Sequence, residues 1–332
     1  MPSQRRFRLP EGAELVPVLL VACVIFAFLN PAFLKPANLL TILASMAFVG
    51  IIAIGQSVVV IGGNIDLSVG SVAALCAVIG AKLMVADFPL LVSVAIALTV
   101  GVLVGLFNAY LTALGIPAFI VTIGTLYMAG GLAVFITKGQ PVFPLPKIVT
   151  EIGLAKVGPF STPFLVMLAL FIVVGWVLRS TRPGRCVYAV GGDAVVANLA
   201  GINSKRVIYG TFAFCGFTAA LAGLLQMSAL ASASNTIGAG WELTSVAAVV
   251  IGGTSIFGGR GTMLGTFLGL LLLGVVTNGL ISAGVEPNWQ TLAVGAIMIA
   301  AIGFDLIRRR IRRRSLFERA LLDEPATARS LG

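Results

Sequence analysis

The chain has 332 residues, of which 58% are hydrophobic and only 10% charged, against roughly 25% charged in an ordinary soluble domain. A mean hydropathy of +1.07 excludes a protein that covers itself with polar surface in water, so lipid must supply much of its exterior. The net charge of +10 does not mark a nucleic-acid binder: the arginines cluster at Arg5–Arg8, Arg179–Arg185 and Arg308–Arg314, each flanking an apolar run, as topogenic positive-inside charge does.

Residues 1–14 are polar and basic, and an apolar run, Leu15–Leu34, follows them. It is longer than the h-region of a signal peptide, and only Asn30-Pro31-Ala32-Phe33 follows where a small-residue cleavage site would stand. We read it as an uncleaved first helix. Charge-free runs then predict ten spans, at about 15–34, 38–61, 67–86, 88–112, 117–137, 160–178, 207–231, 243–257, 261–282 and 288–307. The turn inside the long run from Phe88 falls at Leu114-Gly115-Ile116-Pro117. The runs do not alternate in polarity as the strands of a membrane barrel would. The expected fold is therefore all-α, a polytopic transmembrane helical bundle with 1–14 as a cytoplasmic segment, 15–307 as the transmembrane domain and 308–332 as a basic cytoplasmic tail.

An even span count puts both termini on one side. The basic clusters make that side the cytoplasm, together with 179–206 and the neighbourhood of Arg260. The proline-rich segment 138–162, with Lys138, Lys147, Glu151 and Lys156, falls outside.

Two predicted spans are short. Leu67–Ala81 ends at Lys82 and Leu243–Gly259 at Arg260, reaching roughly 22–26 Å against a hydrocarbon core of about 30 Å. Each follows or contains a Gly-Gly pair, in Val58-Val59-Val60-Ile61-Gly62-Gly63 and Val249-Val250-Ile251-Gly252-Gly253. The shared pattern points to an internal duplication with both copies at the inner side. Broken helices are tolerated in a membrane only against protein or a water-filled path. Stretches 62–71 and 252–261 are thus pathway walls or simple re-entry turns.

No catalytic set is legible. Histidine is absent, and there is no G-x-x-x-x-G-K-[ST] loop, no H-E-x-x-H and no G-x-S-x-G. The chain neither binds ATP in the P-loop manner nor calls for a cofactor. Cys23, Cys76 and Cys215 lie in apolar runs and Cys186 in a basic loop. Without ligand spacing they read as small fillers, and no metal site is expected. Asp66 is the one acid deep in an apolar region, and such a group faces protein or water. It is either a solute or proton site, with Asn64 and Ser68 beside it, or a cap on the helix that follows. Trp241-Glu242 at an outer boundary is a solute contact or an interfacial anchor. Glu286, Asn288 and Trp289 repeat that ambiguity at the last outer loop. Gln56, Asn108, Gln226 and Asn278 hydrogen-bond between helices or, collectively, line the neutral polar path that a hydroxylated solute needs.

The inner segment from Arg182 reads as a loop through Gly191 and Gly192. Asp193 then caps a short helix, Ala194–Ala200, which Gly201 stops before Ile202. A two-turn helix exposing small and apolar residues, with Ala197 and Leu199 as its knobs, has the form of a ridge for a partner's groove.

Three motifs follow one another in order: Gly62-Gly63-Asn64-Ile65-Asp66-Leu67-Ser68-Val69-Gly70-Ser71; Tyr188-Ala189-Val190-Gly191-Gly192 through Leu199-Ala200-Gly201-Ile202; and Gly240-Trp241-Glu242-Leu243 leading to Gly252-Gly253-Thr254-Ser255 and Gly258-Gly259-Arg260-Gly261. On these motifs the chain, from about Asn38 to Phe304, resembles the ribose/simple-sugar permease family of ABC importers. The resemblance implies a non-catalytic subunit in a bacterial inner membrane that forms the path for a monosaccharide or similar solute. Its implied partners are a cytosolic ATPase subunit, a periplasmic or lipid-anchored solute-binding protein and a second permease copy or paralogue. Residues 191–202 would be the coupling helix to the ATPase. The chain departs from the family at Ala194 and Asn198, where charged residues often stand, and at Asn64, an insertion before Ile65. Within the class, a furanosyl quorum signal or a nucleoside is an alternative solute. From another class, an ion-coupled secondary transporter would use Asp66.

Overall fold

The computed structural model describes residues 14–286 and, beyond them, positions 289, 292, 293, 295, 296, 299 and 303. Asn288, the two basic termini and most of the expected tenth span therefore lie outside the described residues. In chain order the helices are α1 (Leu15–Leu29), α2 (Pro36–Ser45), α3 (Ala47–Ile61), α4 (Val69–Val85), α5 (Leu90–Ala113) and α6 (Ala118–Thr137). An amphipathic α7 (Lys147–Leu154) and a small hairpin, β1 (Lys156–Val157) with β2 (Phe160–Ser161), follow. Then come α8 (Thr162–Ser180), α9 (Arg182–Gly192), α10 (Ala194–Leu199), α11 (Ser204–Leu230), α12 (Trp241–Ile251) and α13 (Met263–Ser282).

The result is a helical membrane bundle. Among the described residues five helices are long and apolar enough to cross a membrane: α5, α6, α8, α11 and α13. The α2–α3 pair, bent by 46°, makes a sixth if it counts as one span. The run expected as a single span at 38–61 is thus broken at Met46. The apolar α1, α4 and α12 are shorter. At 1.5 Å per residue α12 reaches only about 16 Å.

Helix α3 occupies the centre. Every residue in it except Phe48 and Val49 is buried, among α8, α11, α12 and α13. Helix α11 packs along α3, α4 and α5. The α5 side of that contact is a stripe of small residues, Ser93, Ala97, Gly101, Gly105 and Ala109, together with Asn108. A Cβ at Gly101 would strike the Gly216 backbone, and one at Gly105 the Phe212 backbone. The Gly101–Gly105 spacing is the small-xxx-small seam that lets membrane helices approach by van der Waals packing, where no hydrophobic force draws them together. The other face of α5 carries Leu91, Leu103 and Phe107, exposed as a lipid-facing surface should be.

The segment 182–192, expected as a loop, is helix α9. Pro183 sits in its first turn, where its missing N–H costs nothing. The Thr181 side chain caps the helix by accepting from the Gly184 N–H. Gly184 is the side-chain-free point at which α9 folds back on the Val177–Leu178 backbone of α8. Pro-Gly reads locally as a turn, and tertiary contact overrides it here.

Candidate translocation site and coupling segment

The two Gly-Gly pairs end their helices in the same way. The Gly62 N–H bonds the Val58 carbonyl, the Gly63 N–H that of Val60, and the Asn64 N–H that of Val59. After α12 the Gly252, Gly253 and Thr254 N–H groups bond Ala248, Val250 and Val249 in the same pattern. Gly63 and Gly253 take φ of +84° and +85°, a left-handed stop that a Cβ disfavours by about 1 kcal/mol.

Beyond the first break, Asp66 is 1% exposed. Its Oδ1 accepts from the Ser68 N–H at 2.9 Å and the Ser68 hydroxyl at 2.6 Å. Of the two readings left open for it, solute or proton site or cap on the helix that follows, its bonds bear on the second only at the threshold of α4: they go to Ser68, the N-cap residue, which has right-handed helical backbone angles and makes no side-chain cap bond itself. The Ser68 hydroxyl accepts from Asn108 Nδ2 at 3.0 Å, and Asn108 Oδ1 accepts from Thr125 at 2.6 Å. With its amide oriented to satisfy both ends, Gln56 donates to the Asp66 carbonyl (3.0 Å) and accepts from the Asp66 N–H (3.3 Å). Gln56, Asp66, Ser68 and Asn108 thus meet in one enclosed network joining α3, the α4 threshold, α5 and α6.

The remaining polar candidates lie elsewhere. Asn64 is half-buried, with only a 3.4 Å contact to the Gly62 carbonyl. Trp241 opens α12 and stacks on Phe48, ring centroids 6.2 Å apart. The Glu242 carboxylate reaches Gly70 in the first turn of α4: a Cβ there would meet Glu242 Oε2 and the Gly238 carbonyl. The N-terminal ends of α4 and α12 therefore abut, an arrangement in which two positive helix ends face shared space. Half-buried Gln226, on α11, keeps its buried Oε1 without a partner among the described residues. Asn278 belongs to a separate cluster, accepting from Asn38 at 2.8 Å and Ser282 at 3.4 Å, and so ties α13 to α2. Glu286 and Trp289 are described but have no place in either cluster. Thr125 and the Ser57–Thr266 hydroxyl pair (2.8 Å) carry no sequence signal that separates them from other hydroxyls in the spans.

A groove of about 660 Å³ between α4, α5 and α6 is lined by Leu75, Leu103, Phe107, Met128, Leu132 and their neighbours. It is a lipid-side feature with almost no polar lining and does not suit a hydroxylated solute. No group of His, Cys, Asp or Glu among the described residues is placed to hold a metal.

In the segment expected to couple to a partner, 191–202, Asp193 Oδ1 accepts from the Val195 and Val196 N–H groups at 2.8 and 3.0 Å, capping α10. Gly201 stops the helix at φ +83°, with the Ile202 N–H returned to the Ala197 carbonyl. Ala200 is the C-cap residue. Asn198 bonds both the backbone N–H and the hydroxyl of Ser204, buckling α10 to the start of α11. That gives Asn198, one of the two departures within the helix, a structural role. Leu199 is 85% exposed. Ala197, expected beside it as a knob, faces inward and is buried, and Val195 and Val196 take its place outside. In an α-helix neighbours three and four apart share a face, so Leu199 groups with Val195 and Val196 while Ala197 turns away from them.

The structure is thus a helical membrane bundle with paired helix breaks and a short capped helix that leaves apolar side chains exposed. The family model described as branched-chain amino acid transport system / permease component matches residues 38–302. The ribose import permease protein of Haemophilus influenzae is 34% identical over 90% of this chain and 93% of its own. The fructose import permease protein of Rhizobium meliloti is 35% identical over 87% and 84%, and an autoinducer 2 import system permease protein of Photorhabdus laumondii is 31% identical over 87% and 89%. No solved structure matches. The chain belongs to this permease family, as a sugar-type ABC importer permease. It is an integral membrane protein and, as a permease subunit, not an enzyme.

Proposed function

We propose that the chain forms the path for a monosaccharide in a bacterial inner membrane. It is energised by a separate ATPase that docks on residues 191–202, pairs with a second permease copy or paralogue, and is supplied by a periplasmic or lipid-anchored binding protein. The observation that carries this is α10: a helix braced at both ends that leaves Val195, Val196 and Leu199 at 69%, 60% and 85% exposure. Isolated two-turn helices are unstable in water, so one that holds apolar side chains outward is stabilised by its braces for contact. The solute class is supported by relatives named for ribose, fructose and autoinducer 2. Trp241 and Glu242 stand where the ends of α4 and α12 abut, and with Asn64 and Gln226, the polar candidates outside both clusters, they form the path. Gln56, Asp66, Ser68 and Asn108 brace its wall.

The test is uptake into vesicles holding the full transporter. Uptake should require ATP and be competed by pentoses or hexoses. Uptake driven by an ion gradient without ATP would overturn the assignment. The autoinducer 2 relative favours a second solute class, a furanosyl signal, and competition by that compound alone would select it.

The orientation has both termini and 179–206 in the cytoplasm, with 1–14, 15–307 and 308–332 as N-terminal segment, permease domain and tail. Reporter fusions after residue 150 should report periplasm, and fusions after 195 or 320 cytoplasm. A cytoplasmic signal at 150 would reverse it.

A further inference from the structure

Three stretches of backbone meet at one point with no side chain between them. The Ile61 carbonyl, at the end of α3, is one of the helix-terminal acceptors that lack an intrahelical donor. The Gly259 N–H, from the loop after α12, supplies it at 2.8 Å. Gly191, in the last turn of α9, is buried against the same carbonyl. A Cβ there would lie on the Ile61 oxygen and 2.8 Å from the Gly259 nitrogen. A Cβ on Gly258 would come within 2.5 Å of the Gly191 oxygen and 2.7 Å of the Gly63 Cα. The Tyr188 hydroxyl closes the junction by donating to the Gly261 carbonyl at 2.8 Å. The first helix break, the loop that leads on from the second and the helix before the docking ridge therefore share one joint, and Asp193, which caps α10, follows Gly191 by two residues.

We infer that Gly191, with Gly63, Gly258 and Gly259, is the positioning joint through which displacement of α10 reaches both helix breaks at once. Side chains absorb a push by changing rotamer, whereas backbone in contact with backbone has no such slack, because packed interiors are close to incompressible. Coupling between sites is carried by elements that move together between two arrangements. The Gly63 and Gly253 turns are the places where α3 and α12 can pivot. The inference rests on the docking assignment above, and the test separates the two.

Purified full transporter is prepared with Gly258→Ala, which overpacks the joint from outside the docking segment, and with Gly210→Ala, an α11 glycine whose added Cβ meets nothing within 4 Å. Overpacking at the joint should leave the ATPase bound and hydrolysing while uptake falls about tenfold or more, with Gly210→Ala at the native level. Uptake by Gly258→Ala equal to that of Gly210→Ala overturns the joint. Loss of the ATPase from Gly258→Ala also overturns it, since the glycine would then serve docking. The docking assignment itself is judged separately, by whether Leu199→Asp releases the ATPase. If Gly258→Ala fails to assemble, hydrogen exchange on the native transporter decides. The amide of Gly259 should stay protected with and without ATP as the joint moves as a unit, and exchange that rises on ATP binding overturns the proposal.

Discussion

A chain carrying Leu199→Asp is expected to insert and fold normally, lose the ATPase subunit on purification and lose uptake. At 85% exposure the side chain contributes little to the fold, and surface substitutions away from special features stay within about 0.5 kcal/mol. The caps at Asp193 and Gly201 and the Asn198–Ser204 buckle do not involve it. In a docked complex the same position is enclosed. An unpaired carboxylate there loses its hydration without a partner, a penalty of several kcal/mol, and the native burial of a leucine, about 2 kcal/mol, is lost as well. Together these reduce affinity by more than a thousandfold, at roughly 1.4 kcal/mol per factor of ten. The measurement is a pull-down beside an uptake assay. Retention of both partner and uptake would make α10 a plain surface loop.

The second large effect is at Asp66, where two substitutions should diverge. Asp66→Asn keeps an oxygen where Oδ1 accepts from the Ser68 N–H and hydroxyl, so assembly and most uptake should survive. Asp66→Leu removes that acceptor and leaves both Ser68 donors enclosed, at about 1–3 kcal/mol for each unsatisfied group. The loss spreads to Asn108 and Thr125, whose bonds hold α5 and α6 to the α4 threshold. Asp66→Leu should therefore lose detergent-stable monodisperse protein. Size-exclusion profiles and uptake at matched expression separate the cases. A well-assembled Asp66→Asn chain without uptake would mean that the charge itself is used, as in an ion-coupled carrier.

How much was legible beforehand depended on the range of the interaction. The turn at Gly115-Ile116-Pro117 between α5 and α6, the Asp193 cap, the Gly201 stop and the Gly-Gly breaks are set by residues within a turn of one another. Backbone propensity and a missing Cβ act there without help from the rest of the fold. The membrane setting and the bundle follow from hydropathy alone, because unpaired backbone in lipid leaves helices or closed barrels as the only solutions.

Helix α9 was not legible. Its Pro183-Gly184 start looks like a turn until Gly184 is seen lying on α8 and Gly191 on α3. Nor could the sequence divide its neutral polar residues. Gln56 and Gln226 look alike in their runs, yet one clasps the Asp66 backbone and the other has an oxygen without a partner among the described residues. It likewise offered both Ala197 and Leu199 as knobs of the ridge, although two residues apart on a helix they point away from each other.

Sequence by itself determined a helical membrane bundle with two paired breaks and a short capped helix, since local chemistry and the cost of dehydrating backbone decide those. Tertiary structure alone decided that Asp66, Ser68, Asn108 and Thr125 are one network and that Gly63, Gly191, Gly258 and Gly259 are one joint. Contacts between residues far apart in the chain depend on how helices cross, and crossing is set by the summed packing of small side chains on several helices rather than by any motif.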